Sequence, residues 1–110
     1  MKIPHGDRAV LDISKLENYC LDRTHLRGRH KAQMFRSALG LERPDAELLK
    51  QALLDGAREC DASELMTDAF GTRWRVDVPV ERHNRRAVVR TIWIRRTGED
   101  FPRFVTCWVL

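Results

Sequence analysis

The hydrophobic period of this chain changes once, and that change dictates two layers. Up to about residue 60 the apolar residues recur three and four apart, as one helix face requires; from about residue 70 they alternate every second residue, as a strand requires. A chain of 110 residues has room for one domain, so residues 1–110 are read as a single unit, with a helical part over about 10–60 and a sheet part over about 70–110. Helices followed by strands give the α+β class: three amino-terminal helices packed on a carboxy-terminal antiparallel sheet of three to four strands.

Local signals place the elements. Asp12 is suited to cap a first helix, with Ile13, Leu16, Tyr19 and Cys20 on one face. A second helix runs from about Arg29 to Leu39 and stops at Gly40, a residue that takes the left-handed conformation without strain. Asp45 is placed to cap a third through about Glu59, where Leu48, Leu49, Ala52, Leu53 and Ala57 make an apolar stripe; Gly56 weakens it by about 1 kcal/mol relative to alanine. Asp61 to Asp68 reads as an acidic connection. In Thr72 to Val80, Trp74, Val76, Val78 and Val80 share one face and Arg73, Arg75 and Asp77 the other, while Pro79 argues for an edge or a bulge. Glu81 to Arg85 reads as a turn. Arg86 to Arg96 is apolar on both faces, as in a central strand, and Phe104 to Leu110 ties the carboxy terminus into the sheet.

Several classes are excluded by composition. At 43% hydrophobic and 33% charged residues the chain is too apolar for disorder, and charges interrupt every segment that could cross a bilayer. The start carries Lys2, His5, Asp7 and Arg8 and no signal-like apolar run. Three widely spaced cysteines, Cys20, Cys60 and Cys107, form neither a disulfide framework nor a zinc pattern, so reduced thiols in a cytoplasmic protein without cofactor or metal are expected. Cys107, among Val105, Trp108 and Val109, reads as a small buried hydrophobe.

The net charge of +4 is unevenly spread: Met1 to Gly40 and Gly71 to Leu110 are basic, and Leu41 to Phe70 is acidic. If the two basic ends meet in space, they form a surface suited to phosphate. The densest chemistry is Arg23 to Lys31, which holds His25, Arg27, Gly28, Arg29, His30 and Lys31 without a carboxylate. Gly28 permits a tight backbone path, and the helix start beyond it presents amides and the positive end of a dipole to an anion. Histidine moves protons near neutral pH and a neighbouring cation stabilises a charged phosphorane, a combination sufficient for metal-free RNA cleavage by 2′-hydroxyl attack. Arg90 lies between Val88 and Ile92 on its strand face, so its charge needs a partner or a ligand cleft. Thr91 and Thr106 offer hydroxyls, Arg73 and Arg75 a basic strand face for RNA, and Trp74, Trp93 and Trp108 either core or stacking surfaces.

These residues also carry a resemblance. The run from Leu21 to Phe35, then Ala38 to Gly40, the Phe70-Gly71 turn, Val89 to Ile94 and Phe101 to Cys107 resemble a small bacterial family of unknown function. Similar modules occur at the carboxy termini of phage head and polymorphic-toxin proteins, and beside small partner genes. The resemblance implies a toxin-like domain, and the element order resembles the barnase, colicin and RelE group of metal-independent ribonucleases by fold analogy. The family pattern falls on His25, Gly28, Arg29, Lys31 and Ala32, then on Arg90, Thr91 and Thr106, with Leu26 where proline is expected. Two readings result. In one, the chain is a ribonuclease toxin in which His25 and His30 exchange protons, Lys31, Arg29 and Arg90 hold phosphate, and Thr106 orients it. In the other, it is a non-catalytic module that binds protein or nucleic acid. RNA, a small neutralising protein and a second copy of the chain are the partners these readings admit.

Overall fold

Gly40, at φ 65°, ends α1 (Arg29–Leu39), and the bounds of that helix are those the sequence requires. The computed structural model describes Met1–Leu110. After α1 come α2 (Ala46–Glu59) and four strands, β1 (Ala62–Asp68), β2 (Gly71–Arg82), β3 (Arg85–Arg96) and β4 (Pro102–Val109). They form one antiparallel sheet in the order β1-β2-β3-β4, and the class is α+β. The first expected helix is corrected. Asp12 does accept the Ser14 N–H, at 3.0 Å, but the segment beyond it is a single π-helical turn, Leu16–Cys20, with Leu16 and Cys20 fully buried. The wider winding keeps Leu16 and Cys20 on the core side over a segment too short for an ordinary helix. Asp45 also departs from its expected role: its carboxylate accepts the Glu42 N–H at 2.9 Å and Arg82 Nη2 at 3.1 Å, and caps no amide of α2.

Asp61 to Asp68 is mostly strand rather than connection. Only Ala62 of β1 is buried, so no alternation of apolar residues announces this edge strand; it is held by backbone pairing with β2. That pairing ends at Ala62 opposite Val76, which resolves the position of Pro79. Although β2 is an inner strand, Pro79 lies beyond the reach of β1, where the missing N–H costs no ladder bond. His83 and Asn84 close the β2–β3 hairpin, both at positive φ (48° and 66°), the backbone that two-residue hairpin loops demand.

Helices cover only one face of the sheet. Trp74, Val76, Val78 and Val80 of β2, Val89, Thr91 and Trp93 of β3, and Phe104, Cys107 and Val109 of β4 are buried. All of these except Thr91 join one apolar core with Phe35, Leu39, Leu49 and Leu53 from the helices. Gly56 is required by this packing: a Cβ there would overlap the Val78 side chain, so the helix gives up propensity to approach the sheet closely. The apolar residues on the other face of β3, Val88, Ile92 and Ile94, face outward and stay partly exposed. Leu110 N–H donates to the Val88 carbonyl at 2.9 Å, tying the terminus to the sheet.

Thr91 is a core residue with a polar task. Trp93 Nε1 donates to its hydroxyl at 2.7 Å, and the hydroxyl donates to the Val76 carbonyl at 2.6 Å, all inside the core. Thr91→Val keeps the shape but leaves the Trp93 indole N–H unpaired, and should lower stability by about 1–3 kcal/mol. Urea denaturation measures this; an unchanged midpoint would show that the chain of bonds contributes nothing net.

Candidate functional site

Lys31 is the centre of the arrangement. It projects from the first turn of α1 to β4, where its Nζ donates to Thr106 Oγ1 at 2.9 Å. The ammonium lies 4.9 Å from the Tyr19 ring centroid and 5.3 Å from that of Trp108. β4 meets this demand through a bulge. Thr106 is opposite Ile92 and Phe104 opposite Trp93, so Val105 is an extra residue directly before Thr106. Lys31 has no carboxylate within ion-pair distance, and neither have Arg27 and Arg29.

Beneath Lys31 lies a thiol pair. Cys20 Sγ is 3.9 Å from Thr106 Oγ1 and 3.7 Å from the Cys107 carbonyl oxygen, and both cysteines are buried. The hydrogen bond with the Cys107 side chain, helped by Thr106 and the Lys31 charge, holds the Cys20 thiol below its usual range, while burial pushes that of Cys107 well up. Tyr19 and Cys20 are legible in the sequence only as one helix face. Nothing in their spacing points to Thr106, more than eighty residues away.

His25 builds the loop that leads to α1. Its Nδ1 accepts the N–H groups of Arg27 and Gly28, each at 3.0 Å, and its carbonyl accepts the Arg29 N–H at 2.9 Å. Its ring meets that of Tyr19 edge-on, centroids 4.9 Å apart. An accepting Nδ1 carries no proton, so the neutral ring keeps its proton on Nε2 and can donate from there. Taking a second proton at Nδ1 would break two backbone bonds. The proton exchange expected of His25 therefore does not suit this geometry, and of the helix-start amides expected to face an anion, that of Arg29 is already bonded.

Gly28 serves close packing. Its φ of −88° is open to any residue, but a Cβ would overlap the Tyr19 carbonyl oxygen. Its place in a phosphate loop is corrected accordingly: its N–H belongs to His25. Gly28→Ala should cost about 1–3 kcal/mol through overpacking, read as a lowered thermal midpoint. A variant as stable as the parent would show that the loop yields freely.

His30 stands between two hollows. One is a groove of about 460 Å³ lined by His30, Lys31, Met34, Trp108 and Val109. The other, of about 510 Å³, is lined by Arg23, Thr24, Arg29, His30 and Gln33, with no apolar side chain. The structure thus gathers His30, Lys31 and Thr106, with His25 behind Tyr19 and Arg29 on the polar side.

The remaining candidates lie elsewhere. Arg90 is held by both oxygens of Asp77, at 2.9 and 3.0 Å, on the uncovered sheet face. The Arg90 guanidinium holds the Asp77 carboxyl below its usual range, so this charge has a partner and lines neither hollow. Arg73 is likewise paired, with Asp68 at 2.7 Å. Arg75 shares the uncovered face without an ion pair, opposite Ile92. Trp74 and Trp93 are core, at 5% and 0% exposure, and only Trp108 reaches the rim. No group of three or more His, Cys, Asp or Glu side chains is placed to hold a metal ion, and no helix is long and apolar enough to cross a membrane.

Comparison with known proteins agrees with the fold. The chain is similar to one in the contact-dependent growth inhibition toxin–immunity protein complex from Klebsiella pneumoniae 342, with a TM-score of 0.71 at 13% identity, over 92% of this chain and 99% of that one. At that identity the likeness is one of fold. No curated protein matches in sequence. The loop, α1 and β4 that assemble the Lys31 cluster all fall within residues 2–110, which match the family described as Domain of unknown function (DUF6883), and the chain belongs to that family.

Proposed function

We propose that the chain is a toxin-like, metal-independent ribonuclease whose site lies where the start of α1 meets the bulge of β4. The observation that carries this reading is Lys31: a cation fixed on a hydroxyl and between two ring faces, lining a groove, with no anion of its own. A phosphate is the anion that fits, since it would take one hydrogen bond from Lys31 and one from the Thr106 hydroxyl. Likeness in fold to a chain of a toxin–immunity complex supports the toxin setting and a small neutralising partner protein.

The chemistry needs one base and a fixed cation. His30, exposed beside Lys31, takes the proton of the 2′-hydroxyl; the 2′-oxygen bonds to phosphorus and the bond to the 5′-oxygen breaks. The leaving 5′-oxygen takes a proton from solvent water, and the resulting hydroxide is neutralised by the proton on His30. Lys31 stabilises the charge that grows on the phosphorane oxygens. His25 acts as a positioning residue through Tyr19 and the α1 loop, and Arg29 guides the flanking backbone.

Incubation with end-labelled RNA in excess EDTA tests this. The expected products end in 2′,3′-cyclic phosphate, and His30→Ala slows cleavage by about 10²–10⁴-fold. A folded protein that leaves free and ribosome-bound RNA intact would overturn the reading in favour of a binding module.

A further inference from the structure

Trp108 differs from the other two tryptophans in position and company. It sits at the rim of the sheet on the edge strand β4, with Lys31 on one side of its ring and Met34 and Val109 beside it. The groove they line, about 460 Å³, is open to solvent and large enough to seat one flat ring. Its walls are an aromatic ring, a thioether and a valine, and its end is the unpaired Lys31 cation on Thr106. Across His30 lies the polar hollow with Arg23 and Arg29. Apolar walls with a cation at one end, continuing into a basic hollow, match a flat base with its own phosphate and the next phosphate along a strand.

We propose that this groove is a nucleobase subsite that takes one unpaired nucleotide, its base against Trp108 and Met34 and its phosphate on Lys31 and Thr106. The proposal deepens the ribonuclease reading by naming the substrate class, and it rests on that reading only for the cleavage that comes after binding. Stacking on a side chain requires a free base face, so single-stranded loops and ends are accepted and paired segments are refused. His30, on the ridge between the two hollows, then lies beside the sugar that links base and phosphate.

Nucleotide binding tests the subsite apart from cleavage. Uridine 3′-monophosphate, uridine and inorganic phosphate are titrated separately into the full chain by calorimetry, with tryptophan fluorescence followed in parallel. Trp74 and Trp93 are buried, so quenching reports Trp108. The nucleotide is expected to quench and to bind at least about 5-fold more tightly than inorganic phosphate, as one stacked base contributes. Trp108→Leu should reduce nucleotide affinity to that of phosphate, Trp108→Phe should restore most of it, and Lys31→Met should weaken both ligands. Equal affinity for nucleotide and phosphate in the unaltered chain would overturn the subsite, with no variant needed. So would Trp108→Leu, folded by circular dichroism, binding nucleotide as the parent does. Trp108-dependent binding without RNA cleavage upholds the subsite and sinks the ribonuclease reading. Cleavage that treats duplex and single strand alike sinks the subsite and leaves that reading standing.

Discussion

Replacing Lys31 with methionine slows RNA cleavage by about 10²–10³-fold, the usual cost of removing one fixed donor from a developing oxyanion, while the fold survives. Methionine keeps an unbranched stem to lie against the Tyr19 and Trp108 rings and removes only the charge. Because Lys31 has no carboxylate partner, its loss strands no buried anion, and the variant should melt close to the parent. Losing one phosphate contact also lowers the salt slope of single-strand binding, by about 0.7 in log–log terms. Single-turnover cleavage in EDTA, circular dichroism melts and a salt series measure the three effects. Cleavage at the parent rate would move the site away from α1 and β4. Lys31→Arg is a weak rescue, since a planar guanidinium does not place one donor where the ammonium sits between two rings.

Trp93→Ala is the largest stability loss expected in the chain, about 3–5 kcal/mol. Trp93 is fully buried on β3, meets Phe104 of β4 edge-on with centroids 5.4 Å apart, and donates its indole N–H to Thr91. At a melting shift of roughly 4–8 °C per kcal/mol for a domain near this size, the midpoint falls by on the order of 12–40 °C. Calorimetry reads it directly. A fall of only a few degrees would mean that the space beneath the helices collapses around alanine, and that β3 is less central to the core than its burial implies. Trp108→Leu, at the rim, should move the midpoint far less. The contrast between the two separates a tryptophan that holds the fold from one placed for a ligand.

Residue type and spacing in the sequence treat these two tryptophans alike. Each lies at strand spacing among valines and other apolar residues, and each reads as core before it reads as a stacking surface. What separates them is that the helices cover one sheet face only and that β4 is an edge strand, neither of which is a local property. The same holds for Arg90. The sequence shows that its charge needs a partner, and the register of β2 on β3 decides that Asp77, directly opposite, is that partner. β1 is silent in the sequence because an edge strand with one buried residue has no apolar alternation to display. His25 reads as a proton carrier because side-chain type is all a sequence records; the turn of the backbone brings two N–H groups onto its Nδ1.

Features that depend on neighbours a few residues apart are legible in the chain directly. The extent of α1 and its stop at Gly40, the alternation of β2 and β3, the α+β order of the elements and the cation-rich approach to Lys31 all arise from local periodicity and backbone preference. Which distant groups meet is set by how the elements pack. Lys31 and Thr106 are 75 residues apart, and they touch because α1 packs against β3 and β4 and the last strand bulges there. Side-chain chemistry states what a group requires, whereas packing one covered sheet face against two helices selects which of many equivalent groups supplies it.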